Sequence, residues 1–237
     1  MTATGRRYMA FRTWLAAAVV ALAPLYFVIG IWTREWPVYR PALAIDGAVP
    51  LQPAWMLVYG SLYVFAFLLP IVVVRQPRLF RQWLKAFLTV MIAAYAGFIL
   101  FPTAAPRPDD VPGAGFFAWA LRVVYDVDPL HGCFPSLHVA YSFVSALTVY
   151  RVHRGLGIAA LVWASIIGVS TLFTKQHFVV DVIAGALMAY AAYLLFLRGY
   201  PREEVDSDDR RLAPRRTMAV AGIFAVVVAA AWVVYLV

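Results

Sequence analysis

Charge is scarce in this chain. Asp, Glu, Lys and Arg make up 14% of its 237 residues, where a soluble domain carries about a quarter. Hydrophobic residues fill the deficit at 64%. That excludes an ordinary soluble globule and leaves an integral membrane protein. Cysteine is scarcer still. Cys133 stands alone, which excludes an internal disulfide and offers no metal-ligand spacing for a structural zinc. No internal repeat or low-complexity tract breaks the sequence. Acidic residues are few beside basic ones, 12 against 20, for a net charge of +8. The basic residues nevertheless lie between apolar runs and form no aromatic-interleaved face, so nucleic acid is excluded as a partner.

What the sequence does contain is long apolar runs. A helix needs about 20 mostly apolar residues to cross a bilayer, and seven stretches qualify: 13–32, 54–74, 86–101, 135–150, 156–174, 177–197 and 217–237. The expected fold is an all-α polytopic helix bundle forming a single membrane domain over residues 1–237. The first run follows Arg6, Arg7 and Arg12 but is too long for a signal-peptide core and has no A-x-A site, so it reads as a span kinked at Pro24. With the N-terminus cytoplasmic, the inner segments hold 15 Lys and Arg and the outer ones five: Arg34, Arg40, Arg107, Arg122 and Lys175. Basic loops stay inside, so the C-terminus is expected outside. Usage rich in Ala, Val and Arg suggests a bacterium, which would place the protein in the inner (plasma) membrane.

The connections differ in character. Residues 102–134 form the longest outer one, rich in Pro and Gly at first. It continues with GFFAWALRVVYDV, whose helical spacing, with Arg122 and Asp126 four apart, predicts a short interfacial helix. The inner segment REEVDSDDRRLAPRR mixes both signs and reads as a solvated linker. Cys133, on the outer side, is the natural thiol probe of sidedness.

Three polar clusters fall on the outer side: FPTAAPRPDD (101–110), PSLH (135–138) and TKQHFVVD (174–181). Four apart on a helix, His177 and Asp181 share a face, so that the carboxylate can accept one ring N–H and leave the other nitrogen free to attack. The same pair also fits a buried hydrogen bond that only locks the helix. Pro135 suits a first helical position. Free N–H groups there, with the Ser136 hydroxyl, suit a phosphate, and His138 can protonate a leaving oxygen. Equally, Ser136 can be a helix cap and His138 an interfacial residue. Arg107 offers forked hydrogen bonds to phosphate, or is a solvated loop arginine. Lys175 is a second outer cation, two residues before His177.

In order along the chain, these elements resemble the type-2 phosphatidic acid phosphatase superfamily, whose motifs are K-x6-R-P, P-S-G-H and S-R-x5-H-x3-D. Arg107-Pro108 match the first, with Leu100 in place of its lysine. Pro135, Ser136 and His138 match the second, with Leu137 in place of glycine. Ser170, His177 and Asp181 match the third, with Thr171 in place of arginine. The resemblance covers roughly residues 12–197, leaving 217–237 as an additional span. The PSLH form looks like the branch that holds inositol phosphorylceramide synthases and their bacterial relatives.

The resemblance implies a phosphoryl transfer that needs no metal or other cofactor. His177 would attack phosphorus, oriented by Asp181, and His138 would serve as acid and base. Arg107, Ser136 and Lys175 would hold the phosphate, Lys175 replacing the cation lost at Thr171 one helical turn away. The substrate would be a lipid phosphate, with water or an alcohol such as inositol as acceptor. A non-catalytic lipid-binding or transport relative is the remaining possibility.

Overall fold

The computed structural model describes residue 14 and residues 16–237. Arg6, Arg7, Arg12 and Thr13, which enter the reading of the first span and its sidedness, lie outside the described residues. The rest is an all-α bundle. Its main helices are α1 (Ala16–Trp32), α2 (Pro53–Val73), α3 (Pro77–Leu100), α4 (Phe116–Val127), α5 (Leu137–Val152), α6 (Arg154–Phe173), α7 (Val179–Leu197) and α8 (Ser207–Leu236). Five of these, α2, α3, α6, α7 and α8, are long and apolar enough to cross a membrane. The expected break in α1 falls at Ala23 and Pro24, because proline has no N–H to continue the ladder.

α5 is the axis of the bundle. It packs along α6 and against α7, α3 and α2, and ten of its 16 residues are buried. Small residues, Ala140, Ser142, Ser145, Ala146 and Thr148, permit that crowding. Their hydroxyls are satisfied: Ser142 and Thr148 donate to His138 O and Val144 O one turn back, at 2.8 and 2.7 Å. Ser145 reaches across to the carbonyl of Ala66 at 2.6 Å. That last bond has a cause in α2. Pro70 cannot donate to the carbonyl four residues earlier, and α2 widens into a π segment over Val64–Leu68, a usual response to a disturbed ladder. Ser145 caps the freed oxygen inside the bundle, where an unpaired carbonyl is costly.

Two helices begin earlier than the apolar pattern suggests. α3 starts at Pro77 rather than near 86, because its first turns are amphipathic: Leu79, Trp83 and Leu84 are buried between Arg78, Arg81 and Lys85. The segment read as a solvated linker is ordered. Arg202–Glu204 make a 3-10 turn, Asp206 caps α8 by accepting from Asp208 N at 2.8 Å, and α8 continues through Pro214. Acidic residues in its first turn oppose the helix dipole favourably. Arg78 to Glu204 at 2.7 Å and Arg202 to Tyr150 O at 2.8 Å tie this segment to the α2–α3 and α5–α6 turns. Beyond its charged first turns, α8 is apolar and little buried. Its far end meets α4 through Phe116 and Trp232, 4.7 Å apart, and Tyr235 donates to Ala114 O at 3.1 Å.

The connections therefore sort to two ends. At the second end, Tyr39 N donates to Pro102 O at 2.8 Å and Gln52 N to Phe173 O at 2.9 Å. The same end holds all three polar clusters. α4 forms as expected, though Arg122 does not pair with Asp126; it donates to the carbonyls of Val111 and Gly113 at 2.6 and 2.5 Å.

Candidate active site

Ser136 is the N-cap of α5, its hydroxyl accepting from Val139 N at 3.3 Å. Pro135 therefore stands just outside the helix rather than at its first position. This end of α5 is held from two sides. Ser136 N donates to Asp181 O at 3.1 Å. A Cβ added at Gly185 of α7 would lie 2.4 Å from Ser136 O, and one at Gly97 of α3 would lie 2.6 Å from Pro135 Cδ. Only glycine allows helices to approach so closely at these two points.

His177 and Asp181 do not share a helical face. α7 begins at Val179, with Phe178 as its N-cap. His177 lies before it, and Asp181 reaches back to accept from Phe178 N at 2.8 Å, the N3-to-N-cap half of a capping box. The two side chains still meet: His177 Nδ1 is 3.4 Å from Asp181 Oδ2, with both residues buried. That is longer than a well-formed N–H···O bond. Asp46, from the short helix Ala44–Ala48, accepts from Val179 N at 2.8 Å and helps fix the same turn.

The two histidines are in direct contact. His138 Nδ1 is 2.9 Å from His177 Nε2, and His138 Nε2 is 3.0 Å from the Tyr59 hydroxyl. One tautomer set fits these two contacts. Tyr59 O–H donates to His138 Nε2, His138 Nδ1–H donates to His177 Nε2, and His177 Nδ1–H faces Asp181. The lone pair of His177 Nε2 thus accepts the His138 Nδ1–H and is free to attack only once the two rings part.

Arg107 joins this group through intermediaries. Its Nε and Nη2 donate to Gln176 Oε1 at 3.1 and 2.6 Å. Nη1 donates to Tyr125 O and Asp128 O at 3.1 and 2.9 Å. Nη2 also pairs with Asp128 Oδ2 at 3.2 Å, with both side chains at most 10% exposed. The guanidinium lies 4.8 Å from the Tyr125 ring centre, a cation–π distance. Arg107 is thus neither a solvated loop arginine nor a free fork, because every guanidinium nitrogen is bonded to protein. Asp128 also accepts from Tyr26 O–H at 2.7 Å. Burial raises its carboxyl pKa, against the opposing pull of Tyr26, Arg107 and His177.

Lys175 departs from expectation. α6 ends at Phe173, and Lys175 sits beyond it in a left-handed turn with φ of 53°. The helical spacing from Thr171 therefore lapses. Its ammonium donates to Val49 O at 2.6 Å and Asp46 O at 3.3 Å, so it braces the loop and presents no cation to the histidines in this conformation. Cys133 is buried and its thiol pKa is raised by burial, which removes it as a thiol probe. Among the described residues no three His, Cys, Asp or Glu side chains cluster as a metal-ligand set.

Three participants carry no sequence signal of their own: Tyr59, Asp128 and Gln176. A cavity of about 170 Å³ opens beside His138 and Asp128, walled by Tyr26, Tyr63, Phe67 and Met91 among others. A larger one of about 330 Å³ between α2, α5, α6 and α8 has no titratable lining residue. Only the smaller cavity therefore has titratable groups in its wall, among them His138 and Asp128.

Residues 35–195 match the PAP2 superfamily. The chain is 23% identical over 189 residues to a PA-phosphatase related-family protein of Dictyostelium discoideum, an alignment spanning 63% of this chain and 34% of that protein. It is 42% identical over 59 residues to an uncharacterized protein of Methanocaldococcus jannaschii, covering 25% of this chain and 24% of the other. The chain thus spans about a third or less of the length of these relatives. No solved structure matches it.

Proposed function

Because the chain belongs to the PAP2 superfamily, we propose that it transfers the phosphoryl group of a membrane lipid phosphate through a phosphohistidine on His177, at the extracytoplasmic face. The observation that carries this reading is the 2.9 Å contact between His138 Nδ1 and His177 Nε2, with Asp181 behind the second ring. It joins an oriented nucleophile to a proton donor in one site.

Substrate enters by parting the two rings, so that phosphorus faces His177 Nε2. The nitrogen lone pair forms the N–P bond as the P–O bond to the lipid alcohol breaks. His138 gives its proton to the departing oxygen. Water, or an acceptor alcohol such as inositol, then loses a proton to His138 and attacks the phosphohistidine, which restores His177. Asp181 stabilises the charge that develops on the His177 ring. Most of the rate would come from positioning and from donors aimed at the phosphate oxygens. The apolar cavity beside His138 would accept the chain of the lipid, and the free N–H groups of the first turn of α5 face developing negative charge.

The test uses purified protein in detergent and a panel of lipid phosphates, with free phosphate and lipid products both measured. Both routes release the lipid alcohol; hydrolysis also releases free phosphate, whereas transfer yields a phosphate ester of the added alcohol in its place. His177→Ala should lower the rate on the order of 10²-fold or more and abolish an acid-labile phosphoenzyme. Full activity in that variant would refute the phosphohistidine.

A further inference from the structure

Gln176 is an unusual residue to find at the heart of this bundle. It is 2% exposed and among the largest fully buried side chains. Its position is over-determined by backbone: Gln176 N and His177 N both donate to Thr171 O, at 2.9 and 3.3 Å. Its carboxamide orientation is also fixed, because Arg107 donates from Nε and Nη2 and has no acceptor to offer, so both bonds must end on Oε1. The two hydrogens of Nε2 therefore point away from Arg107. They have no partner among the described residues, and burying such a donor unpaired is unfavourable.

We propose that Gln176 is a phosphate-binding residue, taking the guanidinium of Arg107 on Oε1 and presenting Nε2–H to a non-bridging oxygen of the phosphate at His177. This rests on the phosphoryl-transfer reading above and extends it. Arg107 itself has no nitrogen free of protein acceptors. A cation bonded to the amide oxygen draws electron density through the carboxamide and strengthens its N–H groups as donors. The charge of Arg107 reaches the phosphate in this way without the guanidinium leaving Asp128. Three other side chains at or near the motif positions are committed or remote. Thr171 Oγ1 donates to Gly168 O at 2.7 Å, Leu100 is 70% exposed at the end of α3, and Lys175 is bound to Asp46 and Val49. Gln176 also precedes His177 directly, so its amide travels with the nucleophile.

Gln176→Glu separates this role from a purely structural one. Glutamate keeps an oxygen for Arg107 but removes the Nε2 donors and sets an anion where the phosphate oxygen would bind. Inorganic orthophosphate is the probe, with equilibrium binding to the full-length protein measured beside KM for a lipid phosphate. The expected result is at least a 10-fold loss of orthophosphate affinity and a matching rise in KM, with an unfolding midpoint no lower than that of the wild type. Equal affinity in Gln176→Glu and wild type, with wild-type activity present, overturns this inference and leaves the phosphohistidine reading intact. A wild type that neither binds orthophosphate nor turns over any lipid phosphate overturns both. If Gln176→Glu does not fold, wild-type protein labelled with 15N-glutamine decides. Orthophosphate must shift the side-chain amide pair of Gln176, assigned by elimination from variants at Gln52, Gln76 and Gln82, and an unmoved pair rejects the contact.

Discussion

Gly185→Ala is a one-methyl change whose consequence can be worked from distances. The new Cβ would lie 2.4 Å from Ser136 O, 3.3 Å from Ser136 C and 3.2 Å from Val139 Cβ, where ordinary contact begins at 3.4 Å. The shortfall is about 1 Å, and two of the three atoms are backbone, so no rotamer change relieves it. α5 must shift at its N-terminus, and His138 stands two residues from Ser136. Overpacking costs about 1–3 kcal/mol, and exchanging glycine for alanine in a helix returns about 1 kcal/mol, so stability should change modestly. The rate should not. A displacement of about 1 Å in a catalytic group costs about 10²-fold. We therefore expect kcat for lipid-phosphate turnover to fall by that factor while the protein remains folded in detergent. Gly222→Ala in α8 is the control, since its Cβ meets nothing within 4 Å, and it should leave both quantities near wild type. Gly185→Ala with full activity would refute the claim that contact with α7 positions His138.

Tyr59→Phe removes the hydroxyl that holds His138 Nε2 at 3.0 Å. We expect about a 10-fold lower kcat with an altered pH–rate profile, and an unchanged profile would mean that the bond does not orient the ring. Lys175→Ala should leave kcat within about 2-fold but lower stability by about 1 kcal/mol through loss of the bonds to Val49 and Asp46, as read from thermal inactivation of the purified protein. For sidedness, Asp110→Cys in a Cys133→Ala background puts a thiol on an exposed loop beside the site. An impermeant reagent should label it in intact cells, and labelling only after permeabilisation would reverse the orientation.

The apolar spans were legible because a run of hydrophobic residues is both necessary and visible. The start of α3 was not, since Arg78, Arg81 and Lys85 interrupt the run although Leu79, Trp83 and Leu84 keep helical spacing. The start of α8 was hidden in a charged stretch whose helix signal is the cap at Asp206. In the site, motif spacing pointed to His138, His177 and Asp181. The shared helical face expected of the last two does not form, because the helix begins between them and Asp181 turns back to Phe178. Lys175 failed for a related reason: extrapolating the helical period from Thr171 ignores that the helix has ended. Tyr59 and Gln176 stand 79 and 69 residues from the partners they bond. A single sequence holds no trace of such pairings, which come into being only when the helices pack.

The length of α5 has a consequence for the membrane itself. Sixteen residues at 1.5 Å each span about 24 Å, against a hydrocarbon core of about 30 Å. With its Val152 end level with the turns beside it, α5 would stop about 6 Å short of the other boundary, and His138 rides on its first turn. Under the proposed reaction, a lipid headgroup would have to descend by that distance, or the bilayer thin around the protein, before phosphorus met the histidines. Turnover by that route would depend on bilayer thickness, a property of the surroundings that neither the proposed substrate nor the histidines encode.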